Sequence, residues 1–133
     1  MLSTAKLFDV YSKEIRSILE LAVPVWHSGL TRQQAADIER IQRIAFRLIL
    51  KENYTSYSSA CTALSTQTLH ERRVKLCKTF ALKNIQSEHS MFMEVTSNIN
   101  TRQKKNVVQE YKCNFRRFYN SSLPYLARLL NGN

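Results

Sequence analysis

Apolar residues recur three and four positions apart through most of this chain, which is the spacing of one helix face. In residues 4–22 they are Leu7, Val10, Tyr11, Ile15, Ile18, Leu19 and Ala22, predicting a helix that ends before Pro24. Val23, Val25 and Trp26 follow as an apolar knot, with Trp26 expected in the core. A second helix is announced by Thr31 as N-cap and Gln34 three residues on, the spacing of a capping box, and runs to about Lys51. Ile38, Ile41, Ala45, Leu48 and Ile49 fall on one side of it. A short helix is expected over 58–64. Thr68 and Glu71 form a second capping-box pair, opening a helix that extends to about Gln86. Its apolar face is Leu69, Leu76, Cys77, Phe80 and Ala81, with Val74 and Ile85 near the edge.

Residues 87–100 read as a linker, with Phe92 as a possible anchor to the core. The end of the chain pairs Ser121, Ser122 and Pro124 with Leu123, Leu126, Leu129 and Leu130, a short capped helix with proline near its start. The pattern predicts an all-α protein, a small helical bundle of about four to five helices. Residues 1–86 would form the bundle, and 87–133 a basic extension packed on it as one structural unit.

Composition narrows the picture. The chain has 133 residues, 44% of them hydrophobic, and only two glycines and two prolines. One domain without disulfides suits that length, and helices suit the scarcity of turn formers. Gly29 and Gly132 cannot make a Gly-rich phosphate loop. Asp9 and Asp37 are the only aspartates, too few for a Mg²⁺ site of several Asp ligands. Cys61, Cys77 and Cys113 are odd in number and far apart, which fits a reducing, intracellular compartment, nuclear or cytoplasmic. The stretch from Ile18 to Trp26 is too short to span a bilayer and carries Glu20. His27, His70 and His89 stand apart from each other and from any Cys or acid at ligand spacing, so no catalytic residues, metal ligands or cofactor are expected.

Charge points to a partner. Twenty Lys and Arg against ten Asp and Glu give a net charge of +10 and a pI near 9.9, which points to a polyanionic partner, nucleic acid before an anionic membrane surface, or else to a solubilising excess of charge. On the second helix Arg40, Arg43, Arg47 and Lys51 fall within about 80° of arc opposite the apolar side. Glu39 is the one acid at helical spacing to pair with Arg43. Unpaired cations in a row suit a phosphate backbone, because arginine forks match phosphate oxygens; an ordinary solvated face has the same look. On the next helix Arg72, Arg73, Lys75, Lys78 and Lys83 face only Glu71. The last third carries Arg102, Lys104, Lys105, Lys112, Arg116, Arg117 and Arg128, interleaved with Tyr111, Phe115, Phe118 and Tyr119. That interleaving reads either as a surface on which single-stranded bases stack or as an amphipathic helix with Phe115 and Phe118 in the core and Arg116 and Arg117 in water.

The order of segments resembles a known family. Val10-Tyr11-Ser12-Lys13-Glu14-Ile15-Arg16-Ser17-Ile18-Leu19-Glu20, followed by Ala22-Val23-Pro24-Val25-Trp26, is similar to the region after the catalytic core in reverse transcriptases of LINE-type non-LTR retrotransposons. Ile38 through Leu50, Leu69-His70-Glu71-Arg72-Arg73, and Asn120 through Leu126 resemble later segments of that family in the same order. The resemblance implies the thumb and downstream region of an RNA-directed DNA polymerase, as a truncated fragment that lacks the palm. A thumb of this kind is a helical bundle that holds RNA–DNA hybrid, duplex or RNA without sequence preference. The implied contacts are Arg40, Arg43, Arg47, Lys51, Arg72, Arg73, Lys75, Arg116 and Arg117. The palm's Phe/Tyr-Ala-Asp-Asp motif does not occur here, so catalysis by this chain alone is not expected. The implied partners are nucleic acid and the missing palm domain, with no membrane. Alternatively, the chain is a protein-interaction bundle whose charge only solubilises it, self-associating through an apolar face around Val23, Val25 and Trp26.

Overall fold

The computed structural model describes residues 2–92 and 108–132. Among them the chain is all-α, with seven helices and no strand. Helix α1 covers residues 4–19 in three consecutive parts: an α-helix Thr4–Val10, a π-helical stretch Tyr11–Arg16 and an α-turn Ser17–Leu19. The others are α2 (Val23–Trp26), α3 (Arg32–Leu50), α4 (Tyr57–Ala63), α5 (Leu69–Ile85), α6 (Arg116–Tyr119) and α7 (Ser122–Asn131). The number exceeds the expected four to five because α2 and α6 are single turns, too short to show a period in the sequence. Among the described residues no helix is long and apolar enough to cross a membrane.

The helix starts follow the capping chemistry. Thr31 Oγ1 accepts from the Gln34 backbone N–H at 3.2 Å and Gln34 Oε1 accepts from Thr31 N–H at 3.0 Å. The Thr68–Glu71 pair repeats this at α5, with 3.2 and 3.1 Å. Each box satisfies two of the donors that a helix leaves unpaired at its start. At the other end of the chain, Gly132 adopts φ 77° to close α7, where a side chain would be strained.

The chain divides into two compact units, residues 1–23 with 30–74 and residues 24–29 with 75–133. The division falls within α5, between Val74 and Lys75. Residues 24–29 join the second unit because they meet α7, where the His27 and Tyr125 rings stand edge to face at 5.5 Å.

In the first unit Tyr11, Phe46, Ile49, Ala60 and Cys61 form the buried cluster, with Leu7, Phe8 and Tyr57 against it. The face that α3 buries is not the one its hydrophobicity predicts. Gln42 is 0% exposed and Phe46 and Ile49 are buried, whereas Ile41 and Leu48 face solvent at 41% and 69%. Gln42 is affordable there because its amide is fully used. Its Oε1 accepts from the Tyr11 hydroxyl at 2.8 Å, and its Nε2 donates to Tyr57 Oη at 2.9 Å and to the Gln67 carbonyl at 3.2 Å. One turn earlier Glu39 accepts from the Tyr57 hydroxyl and from the His70 backbone N–H. In α1 only Tyr11 is buried; Val10, Ile15 and Ile18, expected inside, are exposed. Val23 is fully buried while Val25 is exposed, so the apolar knot is split and is not one uncovered face.

In the second unit Cys77, Ala81, Phe92, Val108, Leu126 and Ala127 are buried. Phe92 anchors as expected, but Phe80 is 39% exposed. Asn131 clamps the chain where it returns: its Oδ1 accepts from Val108 N–H at 3.1 Å and its Nδ2 donates to Val108 O at 3.0 Å. Of the C-terminal leucines, Leu126 is fully buried and Leu123, Leu129 and Leu130 only partly.

Two outcomes follow from the polar core. Gln42→Ala strands the Tyr11 hydroxyl and the Gln67 carbonyl, and should cost about 2–4 kcal/mol in urea unfolding followed by circular dichroism. Burial, foremost, raises the pKa of Tyr11 and, with the Glu39 hydrogen bond, that of Tyr57 above the ordinary 10.0. Both therefore bind their protons more tightly folded than unfolded. Their contribution is complete below pH 10 and is lost as pH rises above it, so stability should fall there more steeply than in the Tyr11→Phe/Tyr57→Phe variant.

Candidate nucleic-acid interface

The cation row on α3 is built by the same rotation that buries Gln42. With Gln42 inward, Arg43, Arg47 and Arg40 lie about 100–160° away around the helix axis, and these three side chains and that of Lys51, just past the helix end, are exposed. Two are braced on aromatic faces from the following segment. The Arg43 guanidinium lies 5.1 Å from the Tyr57 ring centre, and that of Arg47 lies 5.4 Å from Tyr54. Among the described residues none of the four forms an ion pair. Glu39, the acid spaced to neutralise Arg43, turns inward to Tyr57, His70 and Arg73 instead. Lys51 follows the last residue of α3 with φ 50°, its N–H donating to the Arg47 carbonyl.

Arg72 and Arg73 leave the expected interface. Arg73 is 1% exposed and lies 3.9 Å from Glu39, and its spacing from Leu69 and Cys77 puts it in the middle of the buried stripe of α5. A guanidinium in that position cannot reach a phosphate. Arg72 grips Glu20 with two parallel hydrogen bonds, Nε to Oε1 and Nη2 to Oε2, the second at 3.0 Å. Its charge is spent within the first unit, joining the end of α1 to the start of α5. The signal for Arg73 was its fourfold spacing within an apolar stripe; for Arg72 no local signal exists, because Glu20 is far off in the chain.

Lys75, Arg116 and Arg117 are exposed and belong to the second unit, whereas the α3 row belongs to the first. Arg102, Lys104 and Lys105 lie outside the described residues. Around α6 the amphipathic alternative fails: Phe115 is 76% exposed and Phe118 and Tyr119 are also open to solvent. Phe118 stands edge-on to Tyr111 at 6.4 Å, and the Arg128 guanidinium lies 3.7 Å over the Tyr119 ring while donating to its carbonyl. This leaves a basic-aromatic surface in which Phe115 is the ring free to stack.

An open cleft in the first unit is lined by Tyr57, Cys61, Thr62, Thr66 and Glu71 among others, with no histidine in its lining. Burial, then the charge of Glu39, pushes the Cys61 thiol up, which keeps it protonated and weakly nucleophilic. Among the described residues no group of three or more His, Cys, Asp or Glu is placed to hold a metal ion. No protein-family model matches the chain, and neither a curated protein nor a solved structure does.

The division between structural and surface arginines is measurable. Arg73→Ala leaves Glu39 partly uncompensated in the core and should cost about 3–5 kcal/mol in chemical unfolding. Arg40→Ala, on the open face of α3, should change stability by no more than about 0.5 kcal/mol.

Proposed function

We propose that this chain binds nucleic acid without sequence preference, as a thumb-like region derived from a LINE-type non-LTR reverse transcriptase, and that it carries out no catalysis alone. The observation that carries the proposal is the row of Arg40, Arg43, Arg47 and Lys51: exposed, without acidic partners among the described residues, and partly fixed in direction by Tyr57 and Tyr54. Arg43 and Arg47, braced on these rings, lose less side-chain freedom on meeting phosphates than free arginines would, which favours backbone recognition over base reading. The ordered motifs in the sequence support the polymerase origin, with a palm domain as the partner that origin implies. Under this reading the protein works inside the cell, in nucleus or cytoplasm, on RNA–DNA hybrid, duplex or RNA.

The second unit would add a different contact. Phe115 between exposed cations fits single-stranded bases, through stacking rather than phosphate pairing alone.

Fluorescence anisotropy with labelled RNA–DNA hybrid tests the proposal. Binding should be independent of sequence and weaken steeply with salt. The Arg40→Glu/Arg43→Glu/Arg47→Glu variant should keep its helical circular dichroism, bind at least about tenfold more weakly and lower the log–log salt slope by about 3. Absence of binding to every duplex and RNA at low salt would refute it.

A further inference from the structure

Beside the cation row, α3 presents a third face. Ile41, Ile44 and Leu48 are 41%, 47% and 69% exposed, and they continue a run of alternating four- and three-residue steps from Asp37 to Lys51. That alternation, held over two heptads, is the spacing that lines residues up along the seam of a two-helix coiled coil. The core of the first unit leaves it uncovered, because Gln42, Phe46 and Ile49 point the opposite way.

The ends of the seam are oppositely charged. Asp37 stands near the start of α3 and Lys51 directly after its end, about 21 Å apart at the helical rise. A parallel pairing of two such helices would set Asp37 beside Asp37 and Lys51 beside Lys51. An antiparallel pairing centred on Ile44 sets each Asp37 beside the Lys51 of the other copy and also opposes the two helix dipoles. We infer that α3 is the dimerisation helix of this protein, pairing antiparallel with the α3 of a second copy through Ile41, Ile44 and Leu48.

The two-fold axis of such a pair is perpendicular to both the helices and the line joining them. It carries the flank of one helix onto the same side as the flank of the other. The Arg40, Arg43 and Arg47 rows of the two copies therefore lie on one face of the dimer. The dimer would double the cationic surface, yet its existence does not depend on nucleic acid, so it stands or falls apart from the proposed function.

Sedimentation velocity of the full chain over a wide concentration range, without nucleic acid, tests the inference. The expected result is a concentration-dependent dimer. Leu48→Glu places a charge in the seam and should weaken it at least about tenfold. Asp37→Lys should weaken it by replacing attraction with repulsion, and the Asp37→Lys/Lys51→Asp double variant should restore it to within about threefold of the original constant. Ile18→Glu, at an equally exposed apolar site on α1, should leave it unchanged, and circular dichroism should show every variant folded. A monomer at all concentrations, which would leave the seam to some other protein, overturns the inference. So does a dimer that responds to Ile18→Glu rather than Leu48→Glu, or one that the double exchange fails to recover.

Discussion

The first unit depends on two polar side chains one turn apart on the inward face of α3. Glu39 and Gln42 collect hydroxyls, a backbone N–H, a carbonyl and a guanidinium from α1, α4, the turn before α5 and α5 itself. An apolar residue at either position would let the surrounding helices slide or rotate at small cost, since hydrophobic contact is not directional. A buried amide or carboxylate tolerates no such freedom, because each lost partner leaves a desolvated group behind. The hub therefore fixes the rotation of α3 about its axis, and that rotation decides everything the helix shows to solvent.

Three strips run along α3, and each is assigned by this one constraint. Gln42, Phe46 and Ile49 go inward. Arg40, Arg43 and Arg47 then stand on one outer flank and Ile41, Ile44 and Leu48 on the other, with Lys51 just past the helix end where the two flanks meet. Inward capture of Glu39 has a further effect on charge, since it removes the nearest counterion from the arginine row. The basic face and the polar core are two results of the same side-chain choice.

Much of the local architecture was legible in the sequence, because its causes are local. Thr31 with Gln34, and Thr68 with Glu71, marked two helix starts; Pro24 and Pro124 fell in first turns; residues 57–63 formed the short helix close to where the spacing put it. What escaped was non-local. Two apolar stripes compete on α3, and hydropathy ranks Ile41 and Leu48 above Gln42, so only the partners of Gln42 on other helices decide between them. Arg72 and Arg73 read as surface cations because a guanidinium usually is one, and the carboxylates that claim them come from the residue after α1 and from α3. Of the expected interface, the α3 row and the exposed α6 cations keep their solvent-facing positions, and the two arginines at the start of α5 belong to the scaffold.

The π-helical stretch Tyr11–Arg16 sets the phase of α1. Nine residues separate Tyr11 from Glu20, which on a straight α-helix would turn them about 180° apart. Yet Tyr11 reaches Gln42 and Glu20 reaches Arg72. The wider turn delays the rotation enough to serve both contacts, absorbing what amounts to one inserted residue. Substitutions at residues 13–15 need only preserve helicity, since those side chains are exposed. A one-residue deletion there would restore the regular repeat and swing Glu20 out of register with Arg72. For this helix length is a stricter constraint than identity, so the segment can drift in sequence while its residue count stays fixed.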